Sequence, residues 1–266
     1  MDPRYGLLAI TLALTFMISS CATYNAATGR RELMFISPEQ ETSIGRNLNQ
    51  DIITKMRLSR DPEYNTRVRR VGEKIVHSID TRGIEYKFRV VEDENMNAFT
   101  IPGGYVYATT GLLNGVSSDD ELAAVLAHEI GHSEARHAVK HLEAAMGYNT
   151  VLMLAYILDS REEDKKKDQW AYIQAGGTAV FQLIDLGYSR KDEYEADRLS
   201  TVYMRDAGYD PRAILTLMRK LKEKERQGEP HWAYFLRSHP YLDERMEAVR
   251  SELAYGVNAP VFRRPE

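Results

Sequence analysis

The residues best placed to do chemistry lie in Glu121-Leu-Ala-Ala-Val-Leu-Ala-His128-Glu129-Ile-Gly-His132. Histidines four apart on a helix project from one face, His132 about 40° round from His128. Two neutral imidazoles so held can bind one zinc ion, and Glu129 stands at the position of a general base. A zinc ion that works on peptide bonds needs a third protein ligand and a position open to water. Candidates lie in Ser189-Arg-Lys-Asp-Glu193-Tyr-Glu195-Ala-Asp197. Glu193 and Asp197 share a helix face and Glu195 points elsewhere. One of the pair would bind metal, and the other would accept the free ring N–H of a ligating histidine. His137 and His141 form a second i, i+4 pair. On an uninterrupted helix they fall about 180° and 220° from His128, so they read as surface or second-face residues.

The elements that must position these groups are legible nearby. Ser118 and Glu121 have capping-box spacing, with Asp119 and Asp120 in the first turn, where the helix dipole favours acid. The helix is expected to run on to about Ala145. Gly131 weakens a helix, which predicts close approach of another backbone beside the metal. Upstream, Ser37-Pro38-Glu39 and Asp61-Pro62-Glu63 each open a helix, to about Arg57 and Ile79. The core stripe of the second is Val68, Val71, Ile75 and Ile79. Residues 84–93 alternate as a strand, and Asn97 to Ile101 and Tyr105 to Thr109 give two more, joined through Pro102-Gly103-Gly104. Downstream, a helix to about Gln227 buries Ile214, Leu217, Met218 and Leu221. Gly228 to Pro240 reads as a loop holding His231 and His239, and a last helix begins near Tyr241. The fold class is α+β, mainly helical, with a small sheet beside the zinc helix.

Taken together, His128-Glu-Ile-Gly-His132 and Ser189-Arg-Lys-Asp-Glu193-Tyr-Glu-Ala-Asp197 resemble the gluzincin metallopeptidases of the HtpX and CAAX prenyl protease family. The branch most resembled is the periplasmic BepA-like and mitochondrial Oma-like one. Asn97-Ala98-Phe99-Thr-Ile-Pro-Gly-Gly-Tyr-Val-Tyr resembles the family's strand beside the cleft. Ser238-His239-Pro240 and Glu244-Arg245 resemble its C-terminal His-Pro motif. The resemblance covers roughly residues 40–255. It implies a zincin-like fold, one Zn2+ per chain on His128, His132 and Glu193, and Asp197 as the supporting carboxylate. Glu129 would be the base. Beside such a metal, Asn97, Ala98 and Phe99 would form a cleft wall that pairs with extended substrate. His239 could fill the open zinc position in a latent state or stabilise the oxyanion; Arg198 and a tyrosine are further oxyanion candidates.

Composition sets the outer limits. The 266 residues are 43% apolar, with a net charge of −4, which leaves no electrostatic footprint for nucleic acid. One cysteine, Cys21, excludes an internal disulfide. Leu7 to Ile18 is an apolar run too short for a comfortable membrane span. With Ile18-Ser-Ser-Cys21 it resembles a lipoprotein signal peptide over residues 1–20, cut before a lipidated Cys21. The Ala at position 22 resembles the sorting signal for the outer membrane, facing the periplasm. The expected organisation is therefore a signal peptide at 1–20, a lipidated tether at 21–36, a metallopeptidase domain at 37–255 and a tail at 256–266. Residues 149–187 read as an apolar helical hairpin with a charged, solvated tip, either a cover packed on the site or a surface that dips into membrane or contacts partners. The implied function is cleavage of unfolded or misassembled polypeptides in envelope quality control. The implied partners are the bilayer, through acylated Cys21, and the outer-membrane assembly machinery. The competing reading is a chaperone-like assembly factor with a rarely active site. An integral-membrane protease is excluded by hydropathy, since no run of 18 apolar residues exists.

Overall fold

The computed structural model describes residues 21–25, 28–147 and 187–255. The proposed signal peptide, the C-terminal tail and all of the 149–187 stretch except Gly187 lie outside the described residues. The stretch read as a tether forms an antiparallel ribbon, β1 (Cys21–Asn25) with β2 (Arg30–Met34), Cys21 opposite Met34. Met34 and Ile36 then bury against Val139.

Helix α1 (Pro38–Lys55) opens on a full capping box between Ser37 and Gln40. Helix α2 (Pro62–His77) opens on Asp61, whose carboxylate accepts from the Glu63 and Tyr64 amides. A three-stranded sheet follows: β3 (Lys87–Val91), β4 (Ala98–Ile101) and β5 (Tyr105–Thr109), in the order β3-β5-β4. β3 runs parallel to β5 and β4 antiparallel to it, so β4 is an edge strand. Left-handed Gly103 and Gly104 make the β4–β5 turn. Strand alternation divides the side chains between two cores. Ala98, Val106 and Ala108 face the main core with α2, while Phe99, Ile101, Tyr105 and Tyr107 pack with Leu48 and Ile52 of α1.

After the short helix α3 (Thr110–Gly115), α4 (Asp119–Glu134) runs through the centre and is buried on all sides from Glu121 onward. Ser118 caps it by accepting from the Glu121 amide. The reciprocal bond differs from expectation, because Glu121 accepts from Ser117 rather than Ser118. Nor does α4 continue to Ala145. It stops at Glu134, Arg136 takes a left-handed φ of 57°, and a separate helix α5 covers 137–147. A left-handed conformation is unfavourable for arginine. Here it is held by a buried ion pair to Glu41 at 2.8 Å and a hydrogen bond to the Ile36 carbonyl at 2.7 Å.

Helix α6 (Arg190–Asp206), capped reciprocally by Ser189 and Asp192, lies against α4. Gly131 is the contact point: a Cβ there would meet the Ala196 carbonyl oxygen at 3.0 Å and its Cα at 3.2 Å. Helix α7 (Ala213–Arg226) buries the four expected residues of its stripe. The expected loop from Gly228 to Pro240 is instead mostly helix, α8 (Pro230–Ser238). Pro230 starts it, and Trp232 and Phe235 enter the main core. Helix α9 (Leu242–Tyr255) completes the described chain. The result is the expected mainly helical α+β, zincin-like fold.

Candidate metal centre

Four buried side chains from three elements converge at the C-terminal half of α4. His128 and His132 come from α4, Glu193 from the first turn of α6, and His239 from the C-cap of α8. His128 Nε2 lies 2.9 Å from His132 Nε2 and 3.3 Å from His239 Nδ1. Glu193 Oε1 lies 3.3 Å from His132 Nε2 and 3.2 Å from His239 Nδ1. A tetrahedral ion with bonds of about 2.1 Å needs donors about 3.4 Å apart. The observed spacings fit that, and the donor set of imidazoles and carboxylate suits a transition-metal ion. A second observation points the same way. Both Glu129 oxygens are buried without a hydrogen-bond partner, beside this cluster. Orphaned buried carboxylate oxygens are costly, and beside this donor set they mark a place where a ligand is missing.

Asp197 supports the cluster from behind. Its Oδ1 accepts from His128 Nδ1 at 2.9 Å, which leaves the Nε2 lone pair directed at the donor set. Arg245, buried on α9, grips Asp197 with two hydrogen bonds of 2.8 and 2.7 Å and also pairs with Glu193. Burial raises the pKa of both carboxylates, but the guanidinium together with the neighbouring histidines, His239 and His128 at Glu193 and His128 at Asp197, outweighs it and holds both below their ordinary values. Glu129 has no such partner, and burial pushes its pKa up. Burial works against charge on His128, yet hydrogen bonds to Asp197 and Glu193 raise its pKa to about 9. Burial and the neighbouring His128 push His132 well below its ordinary value. The cluster therefore attracts one positive charge and keeps a lone pair on His132.

His128, Glu129, His132, Glu193, Asp197 and His239 all meet here. His239 also places Nε2 3.3 Å from Glu129 Oε1. Asn97, Ala98 and Phe99 lie on or next to the edge strand β4, which packs against α4 and is buried along its length. His231 is exposed, away from the cluster. Arg198 leaves α6 about 140° round from Glu193, outside the donor set, and its charge acts on Glu252 of α9.

The outward reading is overturned for His137 but not for His141, whose side chain stays partly exposed. His137 is fully buried, its Nδ1 2.8 Å from His132 Nδ1, and His141 bonds Asp192 at 3.0 Å. The wheel assumed one continuous helix, and the left-handed turn at Arg136 swings α5 back toward α6. The sequence alone gives Arg245 and Tyr188 no role in the site. The Glu244-Arg245 motif was visible in the sequence, but nothing local shows that the guanidinium closes on Asp197. Tyr188 stacks on His132 with ring centroids 3.8 Å apart, a contact without a sequence signal.

A buried helix with two histidines and a glutamate, met by a carboxylate from a second helix, defines a metallopeptidase-type centre. The chain belongs to peptidase family M48, whose model matches residues 62–253. It is 27% identical over 237 residues to the mitochondrial metalloendopeptidase OMA1 of Schizosaccharomyces pombe, covering 86% of this chain and 66% of that protein. It is 27% identical over 255 residues to the beta-barrel assembly-enhancing protease of Yersinia pestis, covering 91% of this chain and 51% of that protein. To the metalloprotease LoiP of Escherichia coli it is 26% identical over 192 residues, covering 72% and 71%. The chain thus spans about half the length of the Yersinia relative and about two thirds of the yeast one.

Proposed function

We propose that this chain is a zinc-dependent endopeptidase. The observation that carries the reading is the convergence of the His128, His132 and Glu193 donors beside the Glu129 carboxylate, whose oxygens accept no hydrogen bond. Zinc bound there supplies Lewis acidity, polarising a scissile carbonyl and making water nucleophilic near neutral pH. Glu129 takes the proton from the attacking water and passes it to the leaving amine, a role its raised pKa suits. Asp197, clamped by Arg245, keeps His128 in its ligating tautomer. His239 occupies the fourth donor position and faces Glu129, so the arrangement is a closed, latent one. Withdrawal of His239 opens both the donor set and the base to substrate.

Substrates are unfolded or misassembled polypeptides, extended enough to pair with the edge of β4 once that strand, buried along its length in this closed arrangement, is uncovered. The anchor is acylated Cys21, and the setting is the outer membrane facing the periplasm, where relatives named for beta-barrel assembly suggest an assembly partner. The closed donor set also favours a second reading, a chaperone-like factor that binds clients and seldom cuts.

The test is cleavage of an unfolded polypeptide by the full chain in detergent with zinc. The Glu129→Gln and His239→Ala variants are assayed beside it, and bound metal is quantified for each. We expect the parent to cleave, His239→Ala to cleave faster, and Glu129→Gln to lose about 10²–10⁴-fold while keeping its metal. Absence of cleavage by zinc-loaded parent and His239→Ala alike would transfer the function to the chaperone reading. Fractionation of the parent and Cys21→Ala chains between membrane and supernatant tests the anchor: equal membrane retention would remove it.

A further inference from the structure

The metal reading gives His128 a supporting carboxylate but leaves the far nitrogen of His132 unassigned. That nitrogen, Nδ1, faces His137 Nδ1 at 2.8 Å, and both rings are fully buried. The other nitrogen of His137, Nε2, lies 3.2 Å from Glu195 Oε2 and 3.6 Å from Asp192 Oδ1. Hydrogen-bond chemistry orders this chain in one direction. A carboxylate only accepts, so the proton of a neutral His137 sits on Nε2 and points at Glu195. His137 Nδ1 is then a bare acceptor. The shorter contact, 2.8 Å against 3.3 Å from His132 Nε2 to Glu193 Oε1, has His132 Nδ1 donate to it, and His132 Nε2 is left as a lone pair aimed at the donor set. Glu195 is itself held, since Asn25 Nδ2 from the end of β1 donates to Oε2 at 3.4 Å and to Glu32 at 2.9 Å.

We propose that His137 is the positioning residue that fixes His132 as an Nε2 metal ligand, with Glu195, braced by Asn25, fixing His137 in turn. This rests on the metal reading above and deepens it. Each of the two ligating histidines then has its outer nitrogen engaged, His128 by Asp197 directly and His132 by Glu195 through a second imidazole. The ring plane of His132 is constrained from its face as well, by Tyr188. Outer partners of this kind orient the ligand and raise its basicity.

The experiment uses the full chain in detergent, first metal-free and then titrated with zinc against a chelator. Long-range ¹⁵N NMR of the metal-free parent should show His132 as the Nδ1–H tautomer. The His137→Asn variant keeps an acceptor oxygen near the position of Nδ1 and should retain both that tautomer and the zinc affinity. The His137→Leu variant should show mixed tautomers and bind zinc about 10–100-fold more weakly. Its folding is checked by circular dichroism. Should it not fold, Glu195→Leu provides the reading, with an expected loss of about tenfold. A folded His137→Leu (or, in its place, Glu195→Leu) that binds zinc like the parent overturns the proposal, and so does a His137→Asn as weak as His137→Leu. A parent that binds no zinc fails the metal reading instead, and the tautomer measurement on the metal-free chain separates the two failures.

Discussion

Two clusters of buried ionisable groups flank the end of α4, one around His132 and the other around Glu134, two residues on. Around Glu134, charges balance. Arg82 and Arg136 face Glu41 and Glu134, and the Tyr86 hydroxyl donates to Glu134 at 2.6 Å. Two cations meet two anions, so this cluster ties α1, α4 and the α2–β3 connection together without help. Around His132, Glu129, Glu193 and Asp197 meet one cation, Arg245. Carboxylates outnumber the one fixed cation here, and the raised pKa of His128 reflects that excess. Both clusters lie inside the fold, yet one is balanced and the other carries an excess of carboxylates beside imidazoles, the donor chemistry that suits a metal ion. A buried charge set that balances holds a fold together; one that does not balance marks a ligand site.

The comparison can be broken most directly at Arg245. Arg245→Leu strips the metal cluster of its cation and leaves two buried carboxylates facing each other. Chemical denaturation of the metal-free chain should show a loss of about 3–5 kcal/mol. Zinc should restore more stability to this variant than it adds to the parent, because the ion replaces the missing charge. An equal zinc increment in both would dissolve the distinction between the clusters. Arg82→Leu should cost less, about 3 kcal/mol, since its guanidinium is 13% exposed rather than fully buried. Its zinc affinity should stay at the parent value; a parallel fall would show the two clusters to be one network.

The smallest effect belongs to the other end of α4, where Arg67 and Arg70 bond Asp119 at 2.9 and 2.6 Å near solvent. Partial burial raises the Asp119 pKa, but these hydrogen bonds outweigh it and hold the carboxyl below its ordinary value. Its stabilisation is thus present above the unfolded carboxylate pKa of about 3.9 and is lost as pH falls through the lower folded value. Asp119→Asn should cost up to about 1 kcal/mol at neutral pH. The parent and variant stability curves should converge as the pH falls below about 4. Curves that stay parallel would mean that the ion pair contributes nothing.

What the sequence determined by itself is whatever depends on spacing along one helix or on a local cap. The four-residue interval of His128 and His132 puts both on one face of any helix that contains them. Glu193 and Asp197 share a face for the same reason, and Ser37, Asp61, Ser118 and Ser189 announce their helices through short-range hydrogen bonds. Gly131 told of a close backbone, and Ala196 is there. The rest was decided in three dimensions. No local signal marks Arg136 as left-handed; a distant Glu41 holds it so, and that single turn carries His137 from the expected outer face to the far nitrogen of His132. Trp232 and Phe235 make a helix where Gly and Pro suggested a loop, because the core they fill belongs to other elements. Arg245 lies about fifty residues from Asp197, and a sequence does not record which buried carboxylate a guanidinium will reach. Periodicity fixes which side chains share a face, whereas only the packing of one face on another fixes which charges meet.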